Sequence, residues 1–239
     1  MKKLLIATAF AALAAGSASA ETVRIATEGA YEPYNFINEK GELDGFEIAL
    51  GKKLCEIAKF DCVFVKNDWD SIIPNLQSGN YDALMAGMSI TPEREEKIAF
   101  SIGYTLPTAS AYASLDENAP TDSGIIAAQT GTMQAAYVAS SGAQLMEFAT
   151  SDDSVAAVRN GQAAVVMADK DYLLSILADD LKLVGEDVML GNGIGIGMRK
   201  SDTELKAKFD AAIETMRKDG SLNALMLEWF EADEVVLFQ

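Results

Sequence analysis

Hydrophobic positions after residue 20 change repeatedly between a two-residue period and a helical period. The segment TVRIATE (22–28) alternates apolar and polar residues, which predicts a strand. In GFEIALGKKLCEIAKF (45–60) the apolar residues recur every three or four positions, which predicts a helix. The first half continues with a predicted strand, a short helix closed by glycine, a buried strand, and a helix with Thr91 as cap and Pro92 first: 62–66, 69–80, 81–90 and 91–100.

The second half alternates more regularly. Strands are predicted at 124–129, 144–149 and 163–169, and a glycine-spaced strand at 191–200. Helices are predicted at 132–142, 152–161, 170–179, 201–220 and 221–230. Strands that alternate with helices predict parallel sheets with helices on both faces, and therefore an α/β fold.

Two such series suggest two lobes with a cleft between them. The later series ends in a strand that can return to the first lobe, and short extended crossings near 104–114 and 189–197 are expected to serve as the hinge. We expect the first lobe to comprise 21–107 plus 194–239, and the second lobe 108–193. Ligands of open α/β sheets bind beyond the carboxyl ends of the strands.

The N-terminal segment predicts export. Lys2 and Lys3 precede an apolar run at 4–15, and Ala18-Ser19-Ala20 has the small residues of a cleavage site. This pattern is typical of a secretory signal peptide at 1–20, and the run is too short for a membrane span. We therefore expect the mature protein to be soluble and periplasmic.

Composition removes several classes of function. The net charge of −17 disfavours binding to nucleic acid or anionic lipid, and it favours a soluble monomer. The chain has no histidine, which removes the commonest general base and metal ligand. Its two cysteines, Cys55 and Cys62, are expected to form one disulfide in an oxidising compartment, which stabilises the fold by about 2–3 kcal/mol. No metal site and no cofactor are expected.

The loop TEGAYEPYNF (27–36) places aromatic rings beside a carboxylate just after the first strand. Glu28, Tyr31 and the later Trp69 each follow a predicted strand, and rings next to an acid suit a guanidinium or an ammonium group. The alternative is that the rings are core residues. We expect that of Phe36, and the pattern leaves Tyr34 open.

Three further residues each have a functional and an ordinary interpretation. Arg94 could clamp a ligand carboxylate at a helix N-terminus, or it could be exposed and paired with Glu95. Thr132, after Gly131, could donate to an anion or simply cap a helix, and Asp169 could hold an ammonium or cap the next helix. Spacing alone does not choose between these interpretations.

Taken together, these stretches resemble the periplasmic polar amino-acid-binding proteins of ABC importers, the extracellular solute-binding family 3. The resemblance spans nearly all of the mature chain and is most specific at 81–100. It rests on GAYEPYNF, GELDGFEIALGKKLCE, DWDSIIPNLQSGNYDALMAGMSITPEREEKIAFS, QTGT and GIGIGMRKSDTEL. It implies the two-lobed periplasmic-binding-protein fold with a hinge of two crossing strands, and closure of the lobes over one amino acid.

The resemblance also implies roles for residues. Arg94 and Thr132 would bind the ligand α-carboxylate. Asp169, Ser89 and the Gly87 carbonyl would bind the α-ammonium. Tyr31 and Trp69 would sandwich the side chain, and Glu28 would meet a side-chain cation. The full expected ligand-binding set is Glu28, Tyr31, Trp69, Ala86, Gly87, Met88, Ser89, Arg94, Gln129, Thr132 and Asp169.

Two residues depart from the family pattern. Gly87 stands where serine or alanine is usual, which predicts a roomier pocket, and Met133 stands where a hydroxyl residue is frequent. The resemblance favours a basic amino acid of the arginine, ornithine or lysine type, delivered to an inner-membrane ABC permease without catalysis. The alternatives are an opine ligand on the same scaffold, or a dehydratase-like enzyme that uses Glu28 and Asp169 as an acid–base pair.

Overall fold

A computed structural model gives the structure of the chain and describes residues 21–178, 180–231 and 235–239. The predicted signal peptide at 1–20 lies outside the described residues. The strands are Glu21–Thr27 (β1), Ala30–Tyr31 (β2), Asn35–Ile37 (β3), Leu43–Asp44 (β4), Phe60–Lys66 (β5), Ala83–Leu84 (β6), Ala99–Phe100 (β7), Ser110–Ser114 (β8), Ile125–Gln129 (β9), Gln144–Phe148 (β10), Val165–Asp169 (β11), Lys182–Val188 (β12) and Gly197–Met198 (β13). The helices are Phe46–Ala58 (α1), Trp69–Gln77 (α2), Pro92–Glu95 (α3), Met133–Ser141 (α4), Ser151–Arg159 (α5), Lys170–Ile176 (α6), Thr203–Lys218 (α7) and Ser221–Trp229 (α8).

The strands form two five-stranded sheets in the described part of the chain, one in each lobe. The first-lobe sheet has the order β5-β1-β6-β13-β7, and the second-lobe sheet has the order β10-β9-β11-β8-β12. A small three-stranded sheet, β2-β3-β4, follows β1 in the chain. The α/β fold and its two lobes are therefore as the sequence predicts, while the lobe boundaries at 107 and 193 stay a prediction.

The sheets are mixed rather than purely parallel, which corrects the expectation from the alternating pattern. Strand β13 is antiparallel to β6 and β7, and β8 is antiparallel to β11 and β12. Strands β8 and β13, which run against their neighbours, each directly follow a crossing between the lobes. The prediction missed strand β12 and treated β8 as hinge. It also overextended β6 and β13, which pair over only two residues each.

The hinge consists of two crossings, one between β7 and β8 and the other between β12 and β13. The two crossings are hydrogen-bonded to each other. The Tyr104 N–H donates to the Ile194 carbonyl (2.8 Å), and the Ile194 N–H donates to Thr105 Oγ1 (2.9 Å). Gly193 has φ +84°, and a Cβ there would lie 2.5 Å from the Thr105 carbonyl oxygen. Only glycine therefore allows the two crossings to approach this closely.

Helix α1 anchors the first lobe. Phe46, Leu50 and Leu54 recur every four residues and are fully buried, which places one apolar face of α1 in the core beside β5 and α7. The predicted disulfide is present and joins α1 to β5 through Cys55 and Cys62, with a Cα–Cα distance of 6.2 Å. Among the helices described between residues 21 and 239, none has the length and apolar character needed to cross a membrane.

Candidate ligand-binding site

A cavity lies between the two lobes. Side chains of both lobes line it, and ten of the eleven predicted residues are among them: Glu28, Tyr31, Trp69, Ala86, Gly87, Ser89, Arg94, Gln129, Thr132 and Asp169. The eleventh, Met88, is not a lining residue. Its side chain packs in a first-lobe core cluster with Ile72 and Leu76.

Parallel strand ends explain how these residues come together. Glu28 directly follows β1, Gln129 is the last residue of β9, and Asp169 is the last residue of β11. The carboxyl ends of the parallel strands in each sheet face the same edge, and in both lobes that edge faces the cavity. The alternation of strands and helices was therefore sufficient to bring these three side chains to one place.

Arg94 lines the cavity from the short helix α3 of the first lobe. Thr91 caps α3 and accepts a hydrogen bond from the Arg94 N–H (3.3 Å), which makes Arg94 the third helical residue. Its guanidinium donates to the carbonyls of Ser89 (2.9 Å) and Gly131 (3.4 Å), and it lies 5.3 Å from the Trp69 ring centre. Arg94 is only 9 % exposed, so the alternative of an exposed ion pair with Glu95 is wrong.

Burial lowers the pKa of Arg94 to about 10, and the nearby Asp169 carboxylate opposes that shift. The guanidinium therefore remains charged at neutral pH. Both hydrogen bonds of this guanidinium go to neutral carbonyl oxygens, so its charge is available to an anion in the cavity.

Asp169 faces the cavity and does not cap α6, although it is the residue before that helix. Its two carboxylate oxygens accept hydrogen bonds from Tyr31 Oη of the first lobe (2.6 Å) and Gln134 Nε2 of the second lobe (2.7 Å). Burial raises its pKa to about 6, and the neighbouring Asp171 adds to that rise. Thr132 does serve as a cap, because its hydroxyl accepts from the Ala135 N–H (3.1 Å) and donates to the Gln129 carbonyl (2.7 Å).

Glu28 lies at another part of the cavity wall and is 4 % exposed. Its hydrogen bond crosses the lobes: Gln129 Nε2 donates to Glu28 Oε1 at 2.7 Å. Ser151 Oγ donates to Gln129 Oε1 (2.9 Å) and so fixes which end of the amide faces the carboxylate. Burial raises the pKa of Glu28 to about 7, whereas the Gln129 hydrogen bond lowers it.

The tyrosines form a stack that spans the lobes. The Tyr31 ring lies 4.8 Å from the Tyr172 ring and 5.5 Å from the Tyr34 ring. Tyr34, which the pattern left open, is buried outside the cavity lining and donates its hydroxyl to Asp171 of the second lobe. Phe36 is partly buried and packs against Trp229.

Gly87 does not enlarge the pocket, contrary to the expectation from its missing side chain. It has φ +62°, and a Cβ at this position would lie 2.9 Å from two carbons of the Tyr31 ring. The Tyr31 ring fills the space that a larger residue would occupy. Sequence reasoning named Met133 only as a departure from the family pattern and missed four other lining residues: Gln134, Ser151, Met167 and Ala168.

The family follows from comparison with known proteins. The model of the bacterial extracellular solute-binding proteins, family 3, matches residues 23–232. The chain belongs to this family. The prediction made from the sequence stretches is thereby confirmed.

Individual relatives in the family cover almost the whole chain. The putative ABC transporter arginine-binding protein 2 of Escherichia coli K12 is 31% identical over 97% of this chain and 100% of its own length. The octopine-binding periplasmic protein of Rhizobium meliloti is 29% identical, with 98% of each chain covered.

A solved structure is more similar in sequence than either of these relatives. It is the crystal structure of a periplasmic His/Glu/Gln/Arg/opine family-binding protein from Silicibacter pomeroyi in complex with lysine. It is 57% identical and superimposes with a TM-score of 0.87, covering 90% of this chain and 99% of that one. This likeness confirms the two-lobed fold.

Proposed function

We propose that this protein is the periplasmic binding component of an amino-acid ABC importer and that its ligand is a basic L-α-amino acid of the lysine, arginine or ornithine type. The observation that carries the proposal is the charge of the cavity wall. Two carboxylates, Glu28 and Asp169, line the cavity, and Arg94 is the one cation among the lining side chains that the structure describes.

Charge complementarity then selects the ligand. A basic amino acid has two cationic groups and one carboxylate, which is the mirror image of two acids and one guanidinium. A neutral amino acid would leave one buried carboxylate without a partner. Because an unpaired buried charge is strongly unfavourable, the ligand with the extra cation is the better fit.

The roles follow from this pairing. Arg94, assisted by Thr132, binds the α-carboxylate, and Asp169 with Ser89 and the Gly87 carbonyl binds the α-ammonium. Glu28 binds the side-chain cation, with Tyr31, Trp69 and Ala86 lining the path of the side chain. The name of the Escherichia coli relative and the lysine complex of the Silicibacter pomeroyi protein support this assignment.

Hinge closure is the proposed mechanism. The amino acid binds first to one lobe, and closure brings the second lobe into contact with it and removes water from the charged pairs. The hydrogen bonds from Gln129 to Glu28 and from Tyr31 to Asp169 join opposite lobes and exist only when the lobes are together. A permease would then recognise the closed form of the monomer.

An opine ligand fits less well. Opines of the octopine type carry an additional carboxylate. Arg94 is the one cation among the lining side chains that the structure describes, so it would have to serve both carboxylates. Octopine is nevertheless included among the ligands to be tested, because the Rhizobium meliloti relative is an octopine-binding protein. Catalysis by Glu28 and Asp169 is not proposed, because the named relatives are binding proteins.

Isothermal titration of mature, ligand-stripped protein tests the proposal. The panel is lysine, arginine, ornithine, histidine, octopine, glutamine and glutamate. Tight binding of a basic amino acid is expected, with a Kd in the micromolar range or lower. A micromolar Kd corresponds to a binding free energy of about −8 kcal/mol. Tight binding of glutamine or glutamate alone would contradict the assignment of Glu28, and conversion of a bound ligand to a new product would contradict binding without catalysis.

A further inference from the structure

A second buried glutamate lies directly behind the cavity wall. Glu47, the second residue of α1, is fully buried and does not line the cavity. Its carboxylate accepts hydrogen bonds from three donors: the Gly87 N–H (2.8 Å), Asn35 Nδ2 (2.7 Å) and the Tyr104 hydroxyl. The donors come from three separate segments of the first lobe.

Each of the three donors belongs to, or is hydrogen-bonded to, a segment that takes part in ligand binding or hinge closure. Gly87 lies on the cavity wall beside Ser89. Asn35 uses its own Oδ1 to accept from the N–H of Gly29 (2.7 Å), the residue after Glu28. Tyr104 belongs to the hinge crossing, where its N–H donates to the Ile194 carbonyl. One carboxylate therefore connects the Glu28 segment, the Gly87 segment and the hinge.

The chemistry at this position requires a carboxylate. Three donors converge on two oxygens, and an ionised glutamate can accept all of them. A glutamine would present one oxygen and one NH2 group. Its NH2 group would then face another donor and could not form a hydrogen bond with it. Burial raises the pKa of Glu47, and the three hydrogen bonds act in the opposite direction. Its position in the first turn of α1 further favours the negative charge.

Comparison with Glu28 shows that the Glu47 carboxylate is directed to the protein's own donors rather than to the cavity. In the described part of the chain Gln129 is the one hydrogen-bond donor to Glu28, whereas Glu47 has three. We propose that Glu47 is a positioning residue for ligand binding, whose carboxylate sets the spacing of the Glu28 and Gly87 segments and connects both to the hinge. This inference rests on the proposed function, since it concerns the same cavity.

A swap of residue types tests the inference. Glu47→Gln leaves a donor facing Asn35, and Asn35→Asp places two carboxylates together, so each single variant should bind lysine or arginine about tenfold more weakly or worse. In the double variant the introduced aspartate accepts from the Gly29 N–H and from the amide of the introduced glutamine, whose oxygen accepts from Gly87 and Tyr104. Net charge and every hydrogen bond are then restored, and affinity should return to within about threefold of the wild type.

Tyr81→Phe is the matched control for loss of a buried hydrogen bond. The Tyr81 hydroxyl donates to the Ile72 carbonyl in the first lobe, away from the cavity lining. This variant should lose thermal stability and keep its affinity. Tyr104→Phe should lose both, because it removes one arm of the Glu47 network. If Glu47→Gln does not fold, the double variant and Tyr104→Phe carry the test.

Amide hydrogen exchange in the ligand-free protein separates this inference from the proposed function. The Gly29 and Gly87 N–H groups should exchange faster in Glu47→Gln and Asn35→Asp and recover protection in the double variant. Wild-type protein that binds no basic amino acid overturns the proposed function, and the exchange data still decide the role of Glu47. Unchanged affinity and exchange in folded Glu47→Gln, or a double variant without rescue, would overturn the inference.

Discussion

Two charged regions of the cavity wall, called here its two ends, differ in how their charges are neutralised. At one end Arg94 and Asp169 carry opposite charges, and each stabilises the ionised form of the other. At the other end the Glu28 carboxylate meets a neutral amide, Gln129, at 2.7 Å. The first end matches the carboxylate and ammonium that all α-amino acids share, whereas the second end has an unbalanced negative charge. We infer that the first end provides affinity and the second end provides selectivity.

Removal of Arg94 should have the largest effect, because it breaks the balanced end. Arg94→Ala removes a buried cation and leaves the ligand carboxylate and Asp169 without their partner, so every amino-acid ligand should lose at least about 100-fold in affinity. Titration with lysine and glutamine measures this loss. Lys97→Ala is the control, because Lys97 makes an exposed ion pair with Glu93 and should leave affinity unchanged. Retention of lysine binding in Arg94→Ala would disprove the proposed carboxylate site.

Substitution of Glu28 should affect only the unbalanced end. Glu28→Gln removes the charge and nearly keeps the shape, so lysine and arginine should bind about 10–100-fold more weakly. Glutamine should bind as well as before or better, because no buried carboxylate is left unpaired. The ratio of the two affinities is the measurement. An equal loss for basic and neutral ligands would show that Glu28 does not contact the ligand side chain.

The sequence was sufficient for the parts of this comparison that follow from strand order. Glu28 and Asp169 lie at the ends of strands, and alternation of strands and helices predicts that such positions meet at a cleft. The capping pattern of Thr91 and Pro92 correctly placed Arg94 in the first turn of α3. Local chemistry and periodicity determine these features, so they can be predicted from a single sequence.

Features that depend on contacts distant in sequence could not be predicted. The missing side chain of Gly87 predicts a wider pocket, but the Tyr31 ring, 56 positions earlier in the chain, occupies that space. The orientation of Gln129 depends on Ser151, which no local pattern connects to it. Strands β6 and β13 are only two residues long each, which is too short for periodicity to define.

Acidification should reduce the preference for basic ligands in a defined pH range, because it protonates Glu28. Without ligand, burial raises the pKa of Glu28 to about 7. The nearby Asp152 and Asp68 add to this rise, and Lys66 opposes it. Because a basic ligand requires the carboxylate, its affinity should be complete above pH 8 and fall about tenfold by pH 6. Below pH 6 protonation of Asp169, with a pKa of about 6, should weaken all ligands.

Titration of lysine at pH 8, 7 and 6 measures the effect, and buffers of different ionisation enthalpy report the proton that Glu28 releases on binding. Glu28→Gln is the control and should be nearly independent of pH between 8 and 6. A wild-type affinity that stays constant over this range would show that Glu28 is already ionised before the ligand arrives.

Loss of the Tyr34 hydroxyl should have the smallest effect, and it should act on both ends equally. This hydroxyl donates to Asp171 across the lobes, outside the cavity lining, so Tyr34→Phe destabilises the closed form and keeps the ring stack. Lysine and glutamine should each bind about threefold to tenfold more weakly, by the same factor. Tyr172→Phe is the matched control, because the Tyr172 hydroxyl bonds Asp152 within the second lobe. A larger loss for lysine than for glutamine would mean that Asp171 also contributes to selectivity for cations, and the division between an affinity end and a selectivity end would then be incomplete.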